Sequence, residues 1–317
     1  GVAGIATFRT GRIDVGDSLG NTSIGAGAGD AYTTGGSNVA IGKDALTAST
    51  TGANNTAVGR FALTTNTTGV RNTAIGDQAL ELNETTNYNT ALGYSALENN
   101  IASNNTSVGY KALEANTTGA NNVALGANAL DAETGLSGIT AIGYAALSAL
   151  STGTGGVAVG YRALTANTTG NNNVAVGYDA GAAITTGGQN TIIGTLAGDA
   201  ITTASDNTVV GYQALTANTT GTQNTAVGSN ALATNTTATG NTALGYFSLT
   251  SENTGASNTG VGWKSLANQQ GGSSNTAIGY NSMFTNTTGG SNVAVGYNAL
   301  DANTTGSQNV ALGANAL

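Results

Sequence analysis

One short sequence pattern recurs along almost the whole chain. Residues 55–59, Asn-Thr-Ala-Val-Gly, are one copy, and the closing glycine of the pattern returns every 17 residues. A single step of 16 residues, from Gly93 to Gly109, interrupts this spacing across eighteen copies between Gly25 and Gly313. A fixed period of this length indicates one structural unit stacked on itself, as in solenoid proteins. It overrides the prior of about two globular domains for a chain of this size.

The regular array occupies residues 21–317. Residues 1–20 match the pattern poorly and are predicted to be an N-terminal cap or a join to a preceding module. At the other end, Leu317 lies in the middle of a repeat. A solenoid end without a polar cap exposes its core and unpaired strand edges. We therefore expect neighbouring fibre modules at both ends.

The composition argues against several functional classes. The formal net charge is −8 and the eight Lys and Arg residues are scattered, so nucleic acid is not expected as a partner. No apolar run approaches the roughly 20 residues of a membrane-spanning helix, so no membrane insertion is expected. The chain has no His and no Cys, which removes the usual general base, thiolate and zinc ligands. We predict a protein that is not an enzyme, with no catalytic residues, cofactor or metal site.

Two columns of the repeat define a short strand. The residue before the motif glycine is always Ile, Val or Leu, and the residue three before it is always Thr or Val. Residues two apart share one face of a strand, and β-branched side chains suit strands. We predict that this face lies inside the coil, with the small residue between the two columns, usually Ala, facing outward. The core candidates in the aliphatic column are Val58, Ile75, Val159 and Val227.

A leucine four residues after the motif glycine forms a further predicted core column, represented by Leu63, Leu164 and Leu215. Three copies have glycine there instead and carry a large apolar residue three positions later. These pairs are Gly29 with Tyr32, Gly181 with Ile184, and Gly198 with Ile201. The displaced apolar residue supports an inward-facing leucine. A turn such as residues 66–69, Asn-Thr-Thr-Gly, completes the coil.

An asparagine lies four residues before the glycine in sixteen of the eighteen copies, as in Asn55, Asn72, Asn224 and Asn241. Stacked once per coil, these amides can form a hydrogen-bonded ladder. Alternatively, asparagine simply suits a turn at this position.

Together these columns predict an all-β fold, a parallel β-solenoid or β-roll of 17-residue coils. Each coil is predicted to contain a strand, a tight bend, a short second strand and a turn. A helical array is excluded because Gly, Asn and Thr are poor helix formers. Each coil buries little apolar surface, so we expect chains to associate along their length, with the Ala and Ser columns allowing close backbone approach.

The position after the motif glycine is rich in aromatic residues and also accepts Lys43, Arg60 and Asp77, which indicates exposure. Two interpretations are open. The rings can stack on the sugars of a surface glycan, or they can shield the coil and pack against a neighbouring chain. The candidate glycan or receptor contacts are Tyr94, Tyr110, Tyr144, Tyr161, Tyr178, Tyr212, Tyr246, Trp263, Tyr280 and Tyr297.

The repeat resembles the head repeats of YadA-like trimeric autotransporter adhesins, whose signature is Asn-Ser-Val-Ala-Ile-Gly, and the related arrays of bacteriophage tail fibres. Residues 38–42, 122–126 and 292–296 come closest to that signature, and the resemblance covers residues 21–317. This chain differs in its uniform period, in its frequent Thr, and in lacking one residue after the Asn. The resemblance implies a parallel homotrimeric fibre located outside the cell, on a virion tail or a cell surface.

The expected function is therefore that of a structural fibre or adhesin segment, a stiff rod that takes part in attachment to a host or surface. Its expected partners are further copies of itself, adjoining fibre modules and a cell-surface glycan. Two alternatives remain open. One is an ice-binding β-solenoid, suggested by the abundant Thr, although a flat ice face would be expected to show two registered Thr columns. The other is an extracellular filament that polymerises head to tail.

Overall fold

The computed structural model of the chain is an all-β parallel β-solenoid. It describes residues 17–252 and 254–317, and there is no helix within these ranges. The predicted cap over residues 1–20 therefore lies mostly outside the described residues. The chain divides into two compact units, residues 1–139 and residues 140–317. Each unit is built from the same coil.

The described part of the first unit contains seven strands of three residues each, one per coil. Consecutive strands pair in parallel, so Thr56 lies opposite Thr73, one period further along the chain. At the short repeat, Thr90 pairs with Thr106, and the strand register is kept despite the missing residue. The strands are β1 Thr22–Ile24, β2 Val39–Ile41, β3 Thr56–Val58, β4 Thr73–Ile75, β5 Thr90–Leu92, β6 Thr106–Val108 and β7 Val123–Leu125.

The second unit continues the pattern with eleven strands in its described residues. Here too each strand pairs in parallel with the next, as Val227 does with Leu244. The strands are β8 Thr140–Ile142, β9 Val157–Val159, β10 Val174–Val176, β11 Thr191–Ile193, β12 Thr208–Val210, β13 Thr225–Val227, β14 Thr242–Leu244, β15 Thr259–Val261, β16 Thr276–Ile278, β17 Val293–Val295 and β18 Val310–Leu312.

The strands face the opposite way to the prediction. In β3 the central Ala57 is fully buried, whereas Val58 is only partly buried. Ile75 is 38% exposed, and Val159 and Val227 are partly exposed like Val58. These four residues do not belong to the core of the coil. The predicted aliphatic inner face is wrong, and the Ala column is the one that points inward.

The reason is the small width of the coil interior. Leu63 reaches across from the other side of the coil and is fully buried together with Ala57 and Ala62. Each strand therefore has room for little more than a methyl group opposite the leucine. The leucine column, with Leu63, Leu164 and Leu215, is fully buried as expected.

Exceptions to the pattern show how tightly this interior is packed. A Cβ added to Gly260, at the centre of β15, would lie 2.8 Å from the Oγ of Ser265. Where Gly198 replaces the leucine, the strand of the same coil carries Ile192 at its centre instead of Ala, and Ile201 is displaced into the core. Ile192, Ile201 and Ile184 are all fully buried. Interior volume lost at one position is thus regained at another.

The leucine lies in a bend and not in a second strand. Within the described residues each coil has one strand. Leu63 has a φ of 51° and Phe61 a φ of 59°, so left-handed residues alternate through the bend. As a result, the N–H groups of Phe61 and Leu63 point to opposite neighbouring coils. Phe61 donates to the carbonyl of Lys43 in the preceding coil (3.0 Å), and Leu63 donates to the carbonyl of Ala79 in the following coil (3.1 Å). The backbone groups of the bend therefore find hydrogen-bond partners in adjacent coils, although the bend is not a strand.

The motif glycine marks the closest approach between coils. Gly59 has a φ of 140°, a region that side chains other than glycine disfavour. A Cβ at this position would overlap the carbonyl oxygen of Gly76 in the next coil. Conformation and contact together explain why this position stays glycine.

Candidate functional site

The predicted asparagine column forms a buried ladder inside the coils. The backbone N–H of Asn72 donates to the Oδ1 of Asn55 at 2.9 Å. In the second unit, the N–H of Asn241 donates to the Oδ1 of Asn224 at 3.0 Å. The side-chain amide of Asn72 also donates to the turn carbonyl of Thr86 at 2.8 Å. The same side chain therefore acts in a ladder and in a turn, and both explanations drawn from the sequence apply.

The coils contain a second asparagine ladder beyond the one predicted. It lies in the turn that Asn66 begins, and nine copies of the repeat have Asn at this position, seven residues after the motif glycine. Asn83 donates from Nδ2 to the Oδ1 of Asn66 at 3.3 Å, and Asn116 donates likewise to Asn100 at 2.7 Å. All four are fully buried. The recurrence of Asn at this position is the signal in the sequence, but it predicts only the turn over residues 66–69 and not the contact between successive side chains.

One coil of the first unit carries a carboxylate in this second ladder. Glu133 is fully buried, and one of its carboxylate oxygens accepts the backbone N–H of Leu136. Its other oxygen, Oε2, has no hydrogen-bond partner in the described residues. Burial raises the pKa of the Glu133 carboxyl, against the opposing effect of the N–H groups of Leu136 and Gly135. The charged form of this residue therefore destabilises the coil.

The outer face of the strands is the first candidate interaction surface. The residue before each motif glycine is a Val, Ile or Leu on this face, and several are more than a third exposed. In the first unit Ile75 is 38% and Leu92 44% exposed, and in the second Leu244 reaches 47%. The Thr or Val column runs beside them. We call these two columns the outer strand face.

The aromatic column is the second candidate surface. All ten predicted residues are exposed, from 36% for Trp263 to 53% for Tyr297. They are Tyr94, Tyr110, Tyr144, Tyr161, Tyr178, Tyr212, Tyr246, Trp263, Tyr280 and Tyr297. Their expected exposure agrees with the structure, but contact with a glycan remains a prediction.

The rings of this column stack mainly on one another. Tyr161 lies between Tyr144, at a centroid distance of 5.3 Å, and Tyr178, at 5.1 Å, with the rings nearly parallel. Trp263 and Tyr280 stack at 4.6 Å. Tyr212 makes no ring contact within the described residues, since Thr and Ser occupy its position in the adjacent coils. Within a run the faces are covered, so edges and hydroxyl groups are what a ligand would meet.

Most cations of the described surface are paired with carboxylates. Arg60 contacts Asp77 at 2.9 Å, and Lys111 contacts Glu114 at 3.0 Å. The hydrogen bond that Lys111 donates to the Glu114 carboxylate raises the pKa of Lys111. Such exposed pairs contribute little to stability, because solvent screens their charges. Lys264 makes no salt bridge to any described residue and instead places its Nζ 4.4 Å from the Trp263 ring centroid.

The described residues contain no group of three or more His, Cys, Asp and Glu side chains that could hold a metal ion. Among them there is also no helix of sufficient length and apolarity to cross a bilayer.

Comparison with known proteins found no family model that matches the chain and no curated protein that matches it.

Proposed function

We propose that this chain is a structural segment of an extracellular attachment fibre, such as a phage tail fibre or a bacterial surface adhesin. In this proposal, coils stacked one per repeat form a stiff rod, and parallel chains associate through their outer strand faces. The aromatic column then lies on the outside of the assembly, where it can meet a host or surface glycan. The role is mechanical and adhesive.

The observation that carries the proposal is the aliphatic column on the outer strand face. A solenoid that stays alone in water gains nothing from a Val, Ile or Leu that is at least partly exposed in every coil. Burying apolar surface contributes about 25 cal/mol per Å², so a column repeated in every coil supplies a large driving force for association. Large apolar surface patches mark interaction sites.

The choice of a trimer rests on the resemblance to YadA-like head repeats and tail-fibre arrays. Three parallel chains related by a threefold axis would let each outer strand face cover part of the other two. Closed symmetry of this type leaves no outer strand face uncovered. The regular spacing of the side chains on the face, one set per coil, suits repeated contact between chains.

The test is the absolute mass of the protein in solution, combined with substitutions on and off the outer strand face. Ile75→Asn with Leu92→Asn places two amides on the face. Leu82→Asn with Ile101→Asn is the matched control, because Leu82 (44% exposed) and Ile101 (52%) lie outside the strands. We expect a three-chain mass for the parent and the control, and dissociation of the face variant. A parent that sediments as a single chain would contradict the proposal, and an open-ended mass distribution would favour a head-to-tail filament.

Ice binding is a second candidate, favoured by one observation. Six consecutive strands of the second unit, β11–β16, begin with Thr, and this Thr column lies on the outer strand face beside the aliphatic column. Both columns repeat at the strand spacing of about 4.8 Å. A regularly spaced surface of Thr and aliphatic side chains can act as a template for ordered water. Thermal hysteresis of freezing in a monomeric protein would support this candidate, and its absence would eliminate it.

A further inference from the structure

A cleft in the second unit combines the chain's rarest residue types. Its volume is about 360 Å³, and its walls include Tyr246, Phe247, Trp263, Lys264 and Phe284. The whole chain of 317 residues contains only one Trp and four Phe. The Trp and two of the four Phe line this one cleft. A cleft of this volume falls within the range of small-molecule sites.

The coil fold does not require these residues. Phe284 lies five positions after its motif glycine, where the preceding coils have Thr250 and Ala267. Phe247 lies two positions after the glycine, where other coils accept Gln78 or Gln213. Both Phe side chains are only partly buried. Packing of the coil therefore does not account for their presence.

The cleft also holds a cation without a carboxylate partner. The Nζ of Lys264 lies 4.4 Å from the ring centroid of Trp263 and 6.0 Å from that of Phe284. Among the described residues it makes no salt bridge, in contrast to Lys111 at the same repeat position, which pairs with Glu114. An ammonium group without a carboxylate partner, in the partly dehydrated surroundings of aromatic rings, attracts an anion more strongly than one that is already paired or fully hydrated.

The remaining wall supplies a neutral hydrogen-bonding group. Asn268 lines the cleft, and its side-chain amide makes no hydrogen bond to another described residue. An amide offers both a donor and an acceptor, which suits hydroxyl groups. The cleft thus presents aromatic surface, one free positive charge and one free amide within a small volume.

We infer that this cleft binds an acidic saccharide unit, a pyranose ring that carries a carboxylate. The apolar face of the ring lies against the Phe side chains and the edge of the Trp263 stack. The carboxylate pairs with Lys264, and the amide of Asn268 meets a ring hydroxyl. The inference names the ligand class for the attachment role proposed above and rests on that role only for the source of the saccharide.

Trp263 provides a direct readout, because it is the only Trp in the chain. The full chain is titrated with a glucuronate-containing oligosaccharide and with its carboxyl-reduced form, in which the carboxylate is replaced by a hydroxymethyl group. We expect Trp263 fluorescence to saturate with the acidic probe at a concentration about tenfold lower than with the reduced probe, the ratio that one charge-assisted contact supplies.

Three variants locate the site. Lys264→Gln should lower affinity for the acidic probe about tenfold and leave affinity for the reduced probe unchanged. Phe284→Thr, which installs the residue of a preceding coil, should weaken both probes. Lys111→Gln removes the same charge from the same repeat position of another coil and should change neither. All three introduced residue types occur naturally at their repeat positions, so the coil should fold.

Three results would overturn the inference. The first two are a Trp263 signal that does not respond to the acidic probe and equal affinity of Lys264→Gln and the parent for that probe. The third is a Trp263 that iodide cannot reach in the assembled protein, because the cleft would then be covered by another chain or protein. If the protein is a trimer that fails to bind the probe, only the inferred saccharide site is contradicted. If the protein is a single chain that binds the probe, only the proposed fibre is contradicted.

Discussion

The backbone N–H of Asn72 donates to the side-chain oxygen of Asn55, one coil away, at 2.9 Å, and both residues are fully buried. The asparagine side chain of one coil thus accepts a hydrogen bond from the backbone of the next coil. This contact stabilises the stacking of the coils, so the asparagine column is part of the fold and not of a binding site.

Replacing Asn72 by Ala should therefore destabilise the protein markedly. The backbone N–H of Asn89 loses its acceptor, the Oδ1 of Asn72, while the carbonyl of Thr86 keeps the Nδ2 of Asn83 as a donor. A buried polar group left unpaired costs about 1–3 kcal/mol, and we expect a loss of this size in the free energy of unfolding. Denaturant unfolding measures it. Thr68→Ala, in the exposed turn, is the control, and equal stability of both variants would show that the ladder contributes nothing.

Adjacent positions of β13 test which strand face lies inside. Ala226→Leu should cost about 1–3 kcal/mol or more, because the narrow interior cannot accept the added volume. Val227→Ser, one residue further along, should cost less than that within a single chain, since Val227 points outward and is partly exposed. Thermal unfolding of the two variants under dissociating conditions gives the comparison. If Val227→Ser were less stable than Ala226→Leu, the aliphatic column and not the Ala column would lie inside the coil.

Glu133 should make stability depend on pH. Its folded-state pKa is raised by burial, so the folded chain holds the proton more tightly than the unfolded chain. The contribution of this group to stability is fully present below the unfolded value of about 4.3 and is lost as pH rises through the folded value. Glu133→Gln should raise stability at neutral pH and remove this part of the pH dependence.

Glu84→Gln removes an exposed carboxylate and is the charge-matched control for Glu133→Gln. Unfolding curves for the parent and the two variants, recorded between acidic and neutral pH, make the comparison. If Glu133→Gln and Glu84→Gln follow the same pH profile, burial of Glu133 has no energetic effect.

Two tyrosines of the aromatic column distinguish its interpretations. Tyr161 is stacked on both sides, whereas Tyr212 has no ring neighbour in the described residues. If the column stabilises the coils, Tyr161→Ala should cost about 1–3 kcal/mol, from two ring pairs at about 0.5–1.5 kcal/mol each, and Tyr212→Ala less.

If the column binds glycans, Tyr212→Ala should weaken adhesion to host cells at least as much as Tyr161→Ala, because the free faces of Tyr212 remain available to sugars. The measurements are unfolding and cell binding of both variants. Unchanged stability and unchanged adhesion in both would remove the column from either role.

Much of the fold could be predicted from the repeat alone. The spacing of the motif glycine predicts parallel coils in register, and the described strands of each unit pair in this way. The inward position of the leucine column could also be predicted. Gly181 and Gly198 are each followed three residues later by an isoleucine, which indicates that an apolar residue is needed in the core of those coils. The asparagine column was predicted as a ladder or a turn, and it is both.

The face of the strand that points inward could not be read from alternation, because a period of two defines two faces without ranking them. Hydrophobicity favours the Val, Ile and Leu column, but interior volume decides against it. The relevant signals were small: Ile192 in the coil that has Gly198, and Gly260 beside Ser265. Both show that the small-residue column faces the leucine.

The sequence by itself determined the period, the parallel stacking, the glycine at the closest approach and the leucine core, because each depends on residues near one another within a repeat. Only the tertiary structure decided the orientation of the strand, the second asparagine ladder, the stacking of the aromatic rings and the cleft beside Trp263. Those features depend on the volume across a coil and on side chains from successive coils, which come together only when the chain is wound.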